Sequence, residues 1–289
     1  MLAQNRKLWL YWLGVPVGVL LMVPLLVLFL NINNPVLSGQ LSTDAYWQGQ
    51  LALFSYLNQA ASAWPAGLLY NLTLMGDAAI LLPLALLGIY RCPQIFGALL
   101  ATLPIGAVLS SVGKKLFAMP RPGAVLDASE FNAIGEFLTG HSSLPSGHSL
   151  TYFAVGVAVL VTWQISWQNR SPSNHQRIIS GVAILALMGL CLSRVAVGAH
   201  WPLDLLVGGS LGTLAGVAGA TIAAKYMNCW QAIVYGKVRG IIALGLATWS
   251  GALIMRIPDM HYIPVVIYLA AVACVAVMYR LFTMPKQAN

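Results

Sequence analysis

Charge is what this sequence has least of. Only 8% of its 289 residues are charged while 59% are hydrophobic, and seven acids face fifteen lysines and arginines. An ordinary soluble domain carries about a quarter charged residues, so a soluble globule is excluded. Cysteine is almost as scarce. Of the four, Cys92 and Cys229 fall near the ends of apolar runs and Cys191 and Cys274 inside them, so neither a disulfide nor a metal site is expected. Internal repeats and low-complexity tracts are missing. So is the alternation of apolar and polar residues that a membrane β-barrel needs.

What fills the chain instead is a series of apolar runs of about 20 residues, each long enough at 1.5 Å per residue to cross a hydrocarbon core of about 30 Å. The mean hydropathy is +0.78. Backbone groups in lipid must be satisfied within the segment, so the runs are helices and the expected fold is an all-α polytopic transmembrane bundle. Eight spans fit, at 8–31, 66–90, 94–117, 148–168, 178–197, 203–225, 239–256 and 262–282. The first follows Arg6 and Lys7 but is too long for a signal peptide and has no small-residue cleavage site after it, so it is expected to stay as an anchor. Residues 46–67, "YWQGQLALFSYLNQAASAWPAG", mix aromatic and polar residues at helical spacing, as an interfacial helix would. It is either an aromatic belt or a gate for lipid.

An even number of spans puts both termini on one side. With that side cytoplasmic, Arg6, Lys7, Arg91, Arg170, Arg177, Lys225, Lys237, Arg239, Arg280 and Lys286 lie inside, and no acid does. Three of the five remaining basic residues, Lys114, Arg121 and Arg194, belong to motifs below. The net charge of +8 is thus a topology signal and an attraction to anionic membrane lipids, not a nucleic-acid footprint. The expected location is a plasma membrane, such as a bacterial inner membrane. Nucleic acid is not an expected partner; an oligomer is permitted but not indicated.

Three segments hold nearly all the polarity near the spans, and this topology places all three at the outer face. They are "KKLFAMPRPG" (114–123), "SSLPSGHS" (142–149) and "SRVAVGAHWPLD" (193–204). Ionisable groups beside lipid are costly and are kept for function. A phosphoryl group would use this set: its transfer builds charge on the equatorial oxygens, which several fixed cations and backbone amides stabilise. Lys114, Arg121 and Arg194 are the cations, and Pro120 and Pro122 stiffen the backbone around Arg121. Ser146 is an N-cap and Gly147 lets the chain pass close to a ligand, so the amides opening the fourth helix would face an anion. A histidine nitrogen can attack phosphorus directly. His200 is the candidate nucleophile, with Asp204 four residues on to fix its tautomer, and His148 would pass a proton to the leaving oxygen and take one from water.

Lys114 followed after six residues by Arg121-Pro122, then Pro145-Ser146-Gly147-His148, then Ser193-Arg194 followed by His200 and Asp204, resembles the tripartite signature of the type 2 phosphatidic acid phosphatase (lipid phosphate phosphatase) superfamily. The resemblance implies a six-helix core and metal-independent, cofactor-free hydrolysis of a phosphomonoester or diphosphate. It also implies His200 as nucleophile, His148 as acid and base, Asp204 as the partner of His200, and Lys114, Arg121, Pro122, Ser146, Gly147, Ser193 and Arg194 around the phosphate. Residues 1–65 are then a transmembrane anchor with an interfacial segment, 66–225 the catalytic core, and 226–289 two additional helices and a cytoplasmic tail. Leu144 departs from the pattern, since an aromatic is common there. The two last spans also lie beyond the core.

The loop 123–144 carries Asp127, Glu130, Glu136 and His141, and Glu136 and His141 are candidates for headgroup choice. Asp77, a carboxylate inside the second span, either supports the site or makes an internal hydrogen bond. The expected activity is hydrolysis of a membrane lipid phosphate or diphosphate at the extracytoplasmic face. Phosphatidate, phosphatidylglycerol phosphate, undecaprenyl diphosphate and lipid A phosphates are the candidates. A lipid phosphotransferase with the same site is the alternative, and a transporter or scaffold with a vestigial site a more distant one.

Overall fold

The computed structural model describes residues 12–22, 36–37, 40–41, 45–166, 174–236 and 238–283. The outer parts of the run at 8–31 lie outside them; the described part is a short apolar helix, α1, Trp12–Met22. A two-residue antiparallel pair, Val36–Leu37 with Gln40–Leu41, precedes helix α2, Ala45–Ala61. Then come α3 (Ala66–Leu74), α4 (Ala78–Leu86) with a 3-10 turn at Leu87–Tyr90, and α5 (Gln94–Phe117) with a 3-10 turn at Pro122–Ala124. The chain continues through α6 (Gly147–Ser166), α7 (Asn174–Ala196), α8 (Pro202–Lys225), α9 (Met227–Tyr235), α10 (Arg239–Met255) and α11 (Val265–Thr283). Six of these are long and apolar enough to cross a membrane, and the protein is a multi-pass helical bundle.

The span expected at 66–90 is not one rod. It is two helices, Ala66–Leu74 and Ala78–Tyr90, bent by 73°. Asp77 sits at the bend as the N-cap of α4 and its carboxylate accepts from the Ala79 amide at 2.9 Å. A short polar side chain that satisfies an orphan N–H favours starting a new helix here over continuing the old one. At the break the Leu72 carbonyl accepts the Tyr152 hydroxyl at 2.7 Å, and the same hydroxyl lies 3.1 Å from the Thr73 carbonyl, which also accepts from the Gly76 amide at 3.0 Å.

The centre of the bundle is α8 against α6 and α5. A Cβ on Gly208 would stand 2.5 Å from the Ser146 carbonyl oxygen, one on Gly216 2.6 Å from that of Ala154, and one on Gly212 would collide with the Leu150 carbonyl. These glycines recur every four residues along one face of α8, so the two backbones meet with no side chain between them, the small-residue packing that replaces the hydrophobic drive in lipid. The seam joins the helix that opens at His148 to the helix that opens beside His200. Helix α2 turns Trp47, Phe54 and Asn58 inward. Its Phe54 ring lies tilted 5.1 Å from Trp201 and edge-on 5.5 Å from Phe131, so α2 packs on the loops of the polar end.

Candidate active site

The three polar segments converge at one end of the bundle. Helix α5 ends at Ala118, whose left-handed φ of 44° stops it, so Lys114 lies in the last turn and the chain leaves extended through Arg121. Two backbone bonds pin that stretch: Arg121 N to Gly140 O at 3.0 Å and Ser143 N to Met119 O at 3.0 Å. Helix α7 ends with Gly198 in the left-handed region, φ 77°, packed so closely on the Phe131 ring that a side chain there has no room. The buried Asn58 amide donates to the Val195 and Ala196 carbonyls, at 3.0 and 3.1 Å, and its carbonyl accepts from the Asn132 amide. It fastens the end of α7 to the loop 123–144 and, beside the Val195 carbonyl that also accepts from the Gly198 amide, gives the Ala196 carbonyl at the helix end a donor.

His200 is 1% exposed. Its Nδ1 lies 3.2 Å from Asp204 Oδ2, and its Nε2 lies 3.3 Å from Arg121 Nη1. A guanidinium only donates, so Nε2 must present its lone pair, and the ring proton belongs on Nδ1 facing the carboxylate. That is the tautomer a nucleophile needs. The same Asp204 oxygen also accepts from Ser143 Oγ at 2.6 Å and from the Trp201 amide at 2.9 Å, so the carboxylate is held from three sides. Burial, first, and then the positive charges of Arg194 and Arg121 hold the His200 pKa well below the ordinary imidazole value.

That depression has a measurable consequence. The folded state binds fewer protons on His200 than the unfolded chain, so this residue's share of stability is fully present above about pH 6.5 and is lost as pH falls from there toward the lowered folded pKa. Thermal unfolding of the wild type and His200→Asn should show a stability difference that shrinks as pH drops below about 6.5. A difference independent of pH from 8 to 5 would refute it.

Arg194 is buried in the last turn of α7, with Nη1 on Thr73 Oγ1 and its Nε without a hydrogen-bond partner among the described residues. Lys114 Nζ lies 3.5 Å from where a Gly147 Cβ would be, so the missing side chain leaves the amine its place at the start of α6. The charges of Arg194, Arg121 and Lys114 are felt at both His148 and His200. Ser146 is buried; its hydroxyl caps α6 by accepting from the Ser149 amide at 3.3 Å, and its own amide donates to the Asp204 carbonyl at 3.1 Å. His148 lies against the bend at 74–78: a Cβ on Gly76 would stand 2.5 Å from its Cδ2.

Other sequence candidates fall elsewhere. Ser193 donates to the Leu190 carbonyl at 2.6 Å, so its proton is committed within α7, and Pro122 is buried at the turn after Arg121. Glu136 is exposed but near enough for its charge to act on Arg121, whereas His141 is exposed on the loop. Asp77 pairs with Arg256 at 2.7 Å. Leu144 is fully buried beside Trp201 and Tyr152, so an aliphatic fills that place. No spacing or motif singles out Ser143, Thr73, Asn58 or Gly76 as part of the site.

The pattern of the PAP2 superfamily matches residues 95–228, which contain every motif residue. An undecaprenyl-diphosphatase of Sulfolobus acidocaldarius is 30% identical over 196 residues, 65% of this chain and 84% of the relative. The chain belongs to the PAP2 superfamily. Among solved structures, the PAP2-type phosphatidylglycerolphosphate phosphatase of Bacillus subtilis matches with a TM-score of 0.50 and 20% identity, over 73% of this chain and 96% of that one, and so shares the fold. Aquifex aeolicus LpxE matches with a TM-score of 0.47 and 24% identity, over 61% of this chain and 94% of that one. The PAP2 region ends before α10, so α10 and α11 lie beyond it.

Proposed function

We propose that this PAP2 phosphatase hydrolyses a lipid phosphate or diphosphate at the extracytoplasmic face of a plasma membrane, with both termini cytoplasmic, through a phosphohistidine. The observation that carries the reading is the His200 ring, with Nδ1 on Asp204 and the Nε2 lone pair turned to Arg121. Nε2 attacks phosphorus as the bond to the lipid oxygen breaks, and His148 supplies that oxygen's proton. Water then gives a proton to His148 and attacks the phosphohistidine, which releases inorganic phosphate and restores Nε2. Lys114, Arg121, Arg194 and the α6 amides from Gly147 onward hold the phosphate oxygens. The catalytic core is residues 66–225.

Undecaprenyl diphosphate stands first among the candidate substrates, because the archaeal relative is named for it. Phosphatidate, phosphatidylglycerol phosphate and lipid A phosphates complete the panel. Purified protein given this panel with excess chelator should release inorganic phosphate from at least one lipid at the rate seen without chelator. Loss of release on chelation would overturn the metal-free mechanism, and phosphate appearing only on an added acceptor lipid would make the enzyme a phosphotransferase.

A further inference from the structure

The helices beyond the PAP2 region grip the bent pair α3–α4 on both sides of its bend. On the α3 side, Asn71 Nδ2 donates to the Ile263 carbonyl at 2.9 Å and Asn71 Oδ1 accepts from the Val266 amide at 3.2 Å, while the Tyr70 hydroxyl reaches Met260 Sδ at 3.2 Å. On the α4 side, Arg256 pairs with Asp77 at 2.7 Å and Trp249 Nε1 donates to the Ala79 carbonyl at 3.0 Å. Ile80 is packed among Leu253, Val266, Ile267 and Ala270. A clasp on each arm fixes the angle between the arms.

What the bend carries gives this angle its importance. Gly76 is the surface against which the His148 ring lies, and Thr73 is the acceptor that holds Arg194. Gly76 is one of the three residues between Leu74 and Ala78, and Thr73 lies in the last turn of α3 just before them. A small opening of the bend moves the seat of the acid-base histidine and the anchor of a buried phosphate-binding arginine together. The Asp77–Arg256 pair is about a third exposed, so its own contribution to stability is small; its effect is on geometry.

We propose that the α10–α11 hairpin is a brace for catalysis, and that Asp77, Arg256 and Asn71 are positioning residues that act through the α3–α4 bend on His148 and Arg194. This rests on the phosphatase reading above. Asp77→Asn is a clean probe, because asparagine still caps α4 and only the charge for Arg256 is lost.

The test uses the full-length protein with Asp77→Asn, Arg256→Gln, the double variant and Arg256→Lys. Two esters are compared, phosphatidate in mixed micelles and 4-nitrophenyl phosphate. An alkoxide leaving group needs the proton from His148, whereas nitrophenolate leaves with little help. A misplaced acid therefore costs one ester more than the other, which a general loss of folded protein does not. Asp77→Asn and Arg256→Gln should each lose about tenfold in kcat on phosphatidate with KM changed less than about twofold, and less than about threefold on 4-nitrophenyl phosphate. The double variant should be no worse than either single one, and Arg256→Lys should keep most of the activity. Equal loss on both esters, no loss in any variant, or additive losses would overturn the brace. Orthovanadate binding, which needs no turnover, should weaken about fivefold in Asp77→Asn as Arg194 loses its alignment. Unchanged vanadate affinity counts against the brace, whereas a wild type that releases phosphate from no lipid counts against the proposed function.

Discussion

His200→Ala is expected to abolish phosphate release, by at least about a thousandfold in kcat, because no other side chain can take over the covalent step. His148 lies at the opening of another helix and is assigned the proton, so it is not a substitute nucleophile. The variant should keep its fold: Asp204 would still accept from Ser143 and from the Trp201 amide, so the buried carboxylate is not stranded. Rapid quenching of the wild type with a radiolabelled lipid phosphate should trap label on the protein in an acid-labile, base-stable bond, and His200→Ala should trap none. A His200→Ala protein that turns over at more than a few per cent of the wild-type rate would remove the nucleophile from the mechanism.

Arg194→Lys should be nearly as damaging, with a loss of about a hundredfold, although it keeps the charge. The guanidinium can do two jobs at once: Nη1 is tied to Thr73, and Nε has no acceptor among the described residues and can donate to a phosphate oxygen. An ammonium is a single point that can lie on Thr73 or on a phosphate oxygen, but it has no rigid fork with which to span both. Thr73→Val tests the same geometry from the other side and should cost less, about tenfold, since it frees the arginine without removing it. Steady-state rates on the best lipid of the panel measure both. Arg194→Lys within about threefold of wild type would show that charge alone is needed there.

The spans were legible because long apolar runs are a local property of the chain, and seven of the eight expected are helical in the described residues as single rods or as the bent pair. The bend was not legible. Hydropathy runs unbroken through 66–90, and Asn71, Thr73 and Asp77 look like stray polar residues until their partners are seen at Ile263, Val266, Arg194 and Arg256, far along the chain. Asp77 was visible as an anomaly, but nothing near it in sequence names Arg256. The motif residues could be read because their spacing is fixed by helix starts and ends: His200 and Asp204 bracket the opening of α8, and Ser146 to His148 open α6. Their supports could not. Ser143, Thr73 and Asn58 are common residue types whose hydrogen bonds to distant parts of the chain leave no spacing to recognise.

The glycine seam between α6 and α8 has a dynamic corollary. With Gly208, Gly212 and Gly216 bringing backbone onto backbone, the two helices leave no room to slide or rotate against each other, so the helix openings that carry His148 and Asp204 are expected to stay in register. A bulky lipid must still be admitted and discharged. Any widening that passes a bulky lipid is expected where the other helices, with side chains between them, meet this pair, and not along the seam itself.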